Sequence, residues 1–282
     1  MIDKIALGTV QFGVDYGINN AGGQIHIDEA RKILNLARES SIDMLDTAYE
    51  YGNSEQVLGK IGVDKCQIIT KTSSLENGIE QVINDFYQSL ERLKINKVAG
   101  LLVHDFHDIQ HPQFNDLFKQ LKDLKQQGII QKIGFSTYAP NQVDFLLDNF
   151  DFDLVQLPFN VFDNRLVQGG QLKNLKESGV EIHARSIFLQ GVLLNFNNLS
   201  NYFIAWKGQF MEYQTMAKED GLSLLEYALN FALNTTEIDK VLVGVDNEKQ
   251  LREIIQSVKS SSDLSPYPIN EVELLDPREW KV

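Results

Sequence analysis

Four polar side chains in this 282-residue chain stand where apolar runs end. Asp46 closes SIDMLD, Lys71 follows QIIT, His104 follows GLLV, and Tyr51 lies five residues beyond Asp46. A carboxylate, a phenol, an ammonium and an imidazole gathered at one place can move a proton to or from a substrate oxygen. A free phenol has a pKa of about 10, so proton exchange near neutrality calls for a positive neighbour that favours phenolate. Lys71 is the candidate. Lowering the phenol from about 10 to about 8 corresponds to about 2.7 kcal/mol, within reach of a partly desolvated charge pair. An ammonium emerging from an apolar strand itself requires a counter-charge, and Asp46 is the nearest one by strand order. His104 can then hydrogen-bond and orient a substrate oxygen. Taken singly, a rim salt bridge and a satisfied structural histidine explain these residues equally well; delivery of all of them to one rim favours chemistry. None of the four carries a hydride, so a redox reaction here needs a cofactor. No metal-ligand spacing occurs, and no GxGxxG follows the first strand, which excludes the Rossmann fingerprint.

The elements that must position these residues are legible as eight apolar runs: 5–10, 41–46, 67–72, 98–104, 132–136, 154–159, 181–187 and 241–245. Segments of helical period lie between them, at 27–39, 79–93, 113–127, 141–148, 168–178, 222–233 and 249–258. In the first of these, Ala30, Ile33, Leu34 and Ala37 form one apolar face. Gly128 and Gly179 read as helix stops, and Ser54 as the cap of a helix following Tyr51. Nearly continuous apolar strands alternating with helices predict a parallel sheet covered on both sides, and eight repeats favour a closed (β/α)8 TIM barrel over an open sheet. Residues 1–282 are read as one such domain. In a barrel of this kind the strand C-termini and the loops after them form the active-site face, where all four polar residues fall.

Composition narrows the function further. With 26 basic and 39 acidic residues the net charge is −13, which disfavours nucleic acid and anionic membrane surfaces as partners. No window supplies the roughly 20 apolar residues that span a bilayer. The N-terminus lacks the pattern of a secretory signal, and the single cysteine, Cys66, precludes a disulfide within the chain, so a cytoplasmic location is expected.

The motifs ALGTVQFG, DTAYEYGNSE, ITK, LLVHD, IGFST, QGVLL and VLVGVDNEKQL together resemble the aldo-keto reductase superfamily over essentially the whole chain. That resemblance implies a (β/α)8 barrel binding NADP(H) or NAD(H) in extended form across the C-terminal face. It implies Tyr51 as general acid/base, Lys71 and Asp46 as the pair that tunes it, and His104 as the group orienting the carbonyl. Cofactor contacts implied in the same way are Gly8, Thr9, Asp46, Ser136, Thr137, Gln156, Arg185, Ser186, Leu189, Gly191, Gly244, Asn247 and Gln250.

Three positions depart from the family pattern. Thr137 stands where an asparagine commonly holds the nicotinamide carboxamide. Arg185 replaces the usual aromatic ring under the nicotinamide; a guanidinium can stack, or it can bind an anionic substrate group or a cofactor phosphate. Asp246 and Asn247 occupy the loop where many relatives place basic residues against the 2′-phosphate of NADPH, with Lys249 and Arg252 nearby, which opens the way to NAD(H). The aromatic-rich stretch 191–220 reads either as a packed helical excursion or as a substrate-facing wall, and the tail 265–282 as a segment folding over the site. The expected activity is NAD(P)(H)-dependent interconversion of a carbonyl, in an aldehyde, ketone or sugar derivative, with an alcohol. The alternative is a catalytically silent dinucleotide-binding regulatory or sensor protein on the same barrel. Oligomeric state and reaction direction carry no signal in the sequence.

Overall fold

Each of the eight apolar runs forms a strand: β1 Ile5–Gly8, β2 Met44–Asp46, β3 Gln67–Lys71, β4 Gly100–Val103, β5 Ile133–Ser136, β6 Leu154–Pro158, β7 Glu181–Arg185 and β8 Lys240–Gly244. Eleven helices connect or follow them among the described residues: α1 Ile27–Glu39, α2 Ser54–Ile61, α3 Ile79–Leu93, α4 Phe114–Gln126, α5 Pro140–Asn149, α6 Arg165–Gln168, α7 Gln171–Glu177, α8 Lys207–Glu219, α9 Leu224–Asn234, α10 Glu248–Gln256 and α11 Val272–Leu275. The computed structural model describes residues 1–18, 22–196, 199–259 and 264–281, so positions 197 and 198 of the aromatic-rich stretch and position 282 of the tail lie outside it. All strand pairs are parallel, and β1 pairs with both β2 and β8, closing an eight-stranded barrel in sequence order.

Alternation along the strands decides what reaches the mouth. Ala6, Met44, Ile69, Leu102, Leu154 and Leu242 form one cluster inside the barrel. Two residues further along the same strands or just past them, on the same face, come Gly8, Asp46, Lys71, His104, Gln156 and Gly244. One apolar layer therefore plugs the barrel, and the next layer up is polar. A larger apolar cluster fills the space between strands and helices, with Leu7, Leu45, Leu101 and Val155 on the outward strand faces.

Two elements differ from the sequence reading. The single helix expected over 168–178 is split into α6 and α7, because Gly170 at φ +81° breaks the helical path between them. Ser54 is not a cap: Asn53 precedes α2, and the Ser54 hydroxyl instead donates to the Thr9 carbonyl at 2.8 Å. The aromatic-rich stretch is a packed excursion. Phe196 and Phe162 each stack on Phe210, at 5.3 and 5.9 Å, and Tyr213 meets Tyr227 of α9 edge-on at 5.7 Å. The tail is latched to it by Trp280, which packs on Phe203 at 5.0 Å and donates from its indole N–H to the Leu274 carbonyl at 3.0 Å.

Candidate active site

Asp46 and Lys71, at the last positions of β2 and β3, form an ion pair of 2.7 Å with side-chain exposures of 5% and 1%. A buried ammonium is tolerated only with close acceptors, and Lys71 Nζ has a second one, the Thr47 carbonyl at 2.9 Å. The other Asp46 oxygen, Oδ2, accepts from Gln156 Nε2 at 2.7 Å. Burial depresses the Lys71 pKa, opposed by Asp46.

Tyr51 sits on a loop fixed by backbone contact. Gly13 approaches so closely that a Cβ there would lie 1.7 Å from the Tyr51 carbonyl oxygen. Behind this contact, Thr9 Oγ1 donates to the Asp46 carbonyl at 2.9 Å and meets Ser54 Oγ at 3.0 Å, so the Thr9 hydroxyl knits β1, β2 and α2 together. The phenol ring has Lys71 Nζ 4.9 Å from its centroid and the His104 ring edge-on at 5.9 Å. The phenol pKa is raised, contrary to the sequence argument. Burial is the main cause and the Asp46 charge adds to it, while Arg185 opposes both. His104 Nδ1 lies 3.3 Å from Glu50 Oε2, an ion-pair distance without hydrogen-bond alignment.

Arg185, at the end of β7, donates to the Thr137 carbonyl at 2.9 Å and to Ser186 Oγ at 3.3 Å, and lies 4.1 Å from the centroid of the Tyr138 ring. Arg278 of the tail lies 3.5 Å from the same centroid, so the tail does fold over this rim. Ser136 ends β5, next to a buried Thr137 whose hydroxyl has no protein partner among the described residues. From Ser186 to Gly191 the backbone turns through four positive φ angles, at Ser186, Leu189, Gln190 and Gly191. Asn247 caps α10 by accepting from the Gln250 N–H at 3.0 Å, and the Gln250 side chain returns to the Asp246 N–H at 2.8 Å. Lys249 and Arg252 are exposed and each pairs with a glutamate one helical turn away.

Of the residues singled out from sequence, Asp46, Tyr51, Lys71, His104 and Gln156 converge at the mouth, whereas the Asn247 and Gln250 side chains are engaged in capping α10. Three neighbours were missed. Gln11 is buried, with Oε1 unpartnered and its amide against Gly244, where a Cβ would come within 2.7 Å. Glu50 and Tyr138 are the others, and only their adjacency to Tyr51 and to the Ser136–Thr137 pair could have drawn attention to them.

The Aldo/keto reductase family model matches residues 4–276. The chain belongs to the aldo/keto reductase family. Among curated relatives it is 23% identical to an uncharacterized oxidoreductase, YqkF, of Bacillus subtilis, covering 92% of this chain and 88% of that one. It is 26% identical to L-galactose dehydrogenase of Arabidopsis thaliana, over 97% and 92%. A probable voltage-gated potassium channel subunit beta of Arabidopsis thaliana is 21% identical over 89% and 88%. Among solved structures, the holo form of an aldo-keto reductase from Bacillus halodurans superposes with a TM-score of 0.74 at 21% identity, over 92% of this chain and 87% of that one. These relationships support oxidoreduction with NAD(P)H as the general activity of this aldo-keto reductase.

The rim fits such a dinucleotide. The unpartnered Thr137 hydroxyl and Gln11 Oε1 are buried polar atoms suited to an amide, and the left-handed Ser186–Gly191 turn follows β7 on the same rim, with its Leu189 and Gly191 N–H groups bonded within the turn. Among the described residues no group of histidine, cysteine and acidic side chains is placed to hold a metal, and no helix is long and apolar enough to cross a membrane.

Proposed function

We propose that this aldo-keto reductase interconverts a carbonyl compound and the corresponding alcohol, with Tyr51 as the proton donor and acceptor. The supporting observation is the chain Gln156–Asp46–Lys71 beneath the Tyr51 ring, four side chains from three strands and a loop meeting in one buried contact set. The nicotinamide, when bound, supplies or accepts the hydride. Tyr51 gives its proton to the substrate oxygen in reduction and takes it back in oxidation. Lys71 stabilises the phenolate left behind, and Asp46, fixed by Gln156, holds Lys71 charged in its buried place. His104, edge-on to Tyr51, hydrogen-bonds the same substrate oxygen.

Thr137, Gln11 and the Ser186–Gly191 turn are the proposed cofactor contacts, with Ser136, Gly8 and Gly244 forming the floor around them. NAD(H) is the proposed preference. The first turn of α10 already receives the Glu29 carboxylate, whose Oε1 accepts from the Glu248 N–H at 2.8 Å beside Asp246, an acidic surround that disfavours a 2′-phosphate. The proposed setting is the cytoplasm, and the proposed partner a small polar carbonyl substrate. The competing reading, a silent dinucleotide sensor, draws on the resemblance to channel beta subunits.

Fluorescence titration with NADH and NADPH, followed by absorbance assays against aldehydes, ketoses and keto-sugars, separates the two. Binding with turnover supports the enzyme, binding without turnover supports the sensor, and failure to bind either dinucleotide contradicts both.

A further inference from the structure

Three partly buried arginines stand among the described residues, and two have a carboxylate. Arg92 lies 3.6 Å from Glu55, and Arg165 lies 2.8 Å from Asp163. Arg185 has none within 4.0 Å; its partners are a carbonyl, a hydroxyl and an aromatic face. A guanidinium does not escape burial by losing its proton, so a charge left without a counter-ion is costly in a chain with acidic residues to spare. The two hydrogen bonds leave further N–H donors of its five uncommitted.

Asp276 feels the charge of Arg185 but is engaged by Arg278 and makes no ion pair with Arg185. Arg278 shares the Tyr138 ring with Arg185, and its own charge is matched by Asp276. The buried hydroxyl of Thr137, whose carbonyl Arg185 holds, has no protein partner. The field of Arg185 also reaches the phenol and the ammonium of the acid/base set, lowering the pKa of both Tyr51 and Lys71. A cation within reach of the reacting centre, held in place by neutral groups and lacking an anion in contact, is an incomplete pair.

We propose that Arg185, assisted by the Thr137 hydroxyl and held by Tyr138, binds an oxyanion on the substrate, so that the physiological substrate is an acidic carbonyl compound bearing a carboxylate or a phosphate ester. This inference rests on the oxidoreductase reading above and narrows its substrate class.

The test uses the full chain and two matched aldehyde pairs: succinic semialdehyde against butanal, and glyceraldehyde 3-phosphate against glyceraldehyde. A charge-assisted hydrogen bond corresponds to a preference of about 10- to 100-fold in kcat/KM for the anionic member of at least one pair. The pair that shows it tells carboxylate from phosphate. Arg185→Gln is expected to collapse that ratio to about threefold or less, and Arg185→Lys to keep part of it. Calorimetric titration of the protein with succinate and with inorganic phosphate gives a readout independent of turnover. Binding that Arg185→Gln abolishes supports the site even where none of these aldehydes is reduced. Equal kcat/KM within both pairs together with no anion binding overturns the inference while leaving the oxidoreductase reading intact. So does an Arg185→Gln variant that weakens NADH binding with the anionic preference unchanged, which gives the guanidinium to the cofactor. Loss of dinucleotide binding by the wild-type protein would overturn the underlying reading itself.

Discussion

Gln156 Nε2 donates to Asp46 Oδ2 across 2.7 Å, joining β6 to β2 over the apolar plug of the barrel. The family resemblance implied a cofactor contact for Gln156, and its amide N–H is directed to the carboxylate that holds Lys71. Gln156→Leu leaves a buried carboxylate oxygen without that partner and is expected to cost about 1–3 kcal/mol. Urea denaturation checks this through a lower midpoint at unchanged m-value. A variant as stable as wild type, but with weaker dinucleotide binding, would make Gln156 a cofactor contact and not a support of Asp46.

Asp46 and Lys71 are buried together at contact distance. Asp46→Leu or Lys71→Met alone is expected to destabilise by about 3–5 kcal/mol, whereas the double substitution should recover most of that loss. A double-mutant cycle in urea reads the coupling directly; strictly additive losses would show that the pair contributes nothing as a pair.

Gly13 leaves no room for a side chain against the Tyr51 carbonyl. Gly13→Ala must therefore push the Tyr51 loop outward. We expect turnover to fall by more than about tenfold, since small misplacement of a reacting group has large kinetic effects. A Gly13→Ala enzyme with wild-type kcat would show that the loop tolerates displacement.

Glu181, at the other end of β7 from Arg185, gives the acid limb of stability. Burial would raise its pKa, but hydrogen bonds from His183 and Lys132 outweigh this and hold it at about 2, below the ordinary 4.5. A depressed carboxylate stabilises the fold fully above about pH 4.5 and loses that contribution as pH falls toward about 2. The shift corresponds to at most about 3 kcal/mol, reduced to about 1–2 kcal/mol by solvent screening of a side chain 22% exposed. The urea midpoints of wild type and Glu181→Gln should thus stay apart above about pH 4.5 and draw together as pH falls toward about 2. A gap as wide at about pH 3 as at about pH 6 would contradict the assignment.

The barrel was legible because each strand is largely an apolar run and the charged site residues stand at or just past the end of one. Asp46, Lys71 and His104 obey that rule, and alternation alone carries them to the mouth. What escaped depends on contact and not on pattern. No periodicity tells that the Gln156 amide points at Asp46, or that Gln11 lies against Gly244. The sign of the Tyr51 shift escaped for a related reason: it is set by burial of the phenol and by the Asp46 charge beside it, and spacing shows neither. Helix α2 was read only through Ser54, whose hydroxyl turned out to tie Thr9.

The most direct measurement is single-turnover stopped flow with a reducible aldehyde and prebound NADH, comparing wild type with Tyr51→Phe. Removing one hydroxyl should leave dinucleotide fluorescence and affinity essentially unchanged while slowing hydride transfer by at least about 100-fold, the scale of a lost general acid. A Tyr51→Phe protein that oxidises NADH at the wild-type rate would contradict the role of Tyr51 as proton donor.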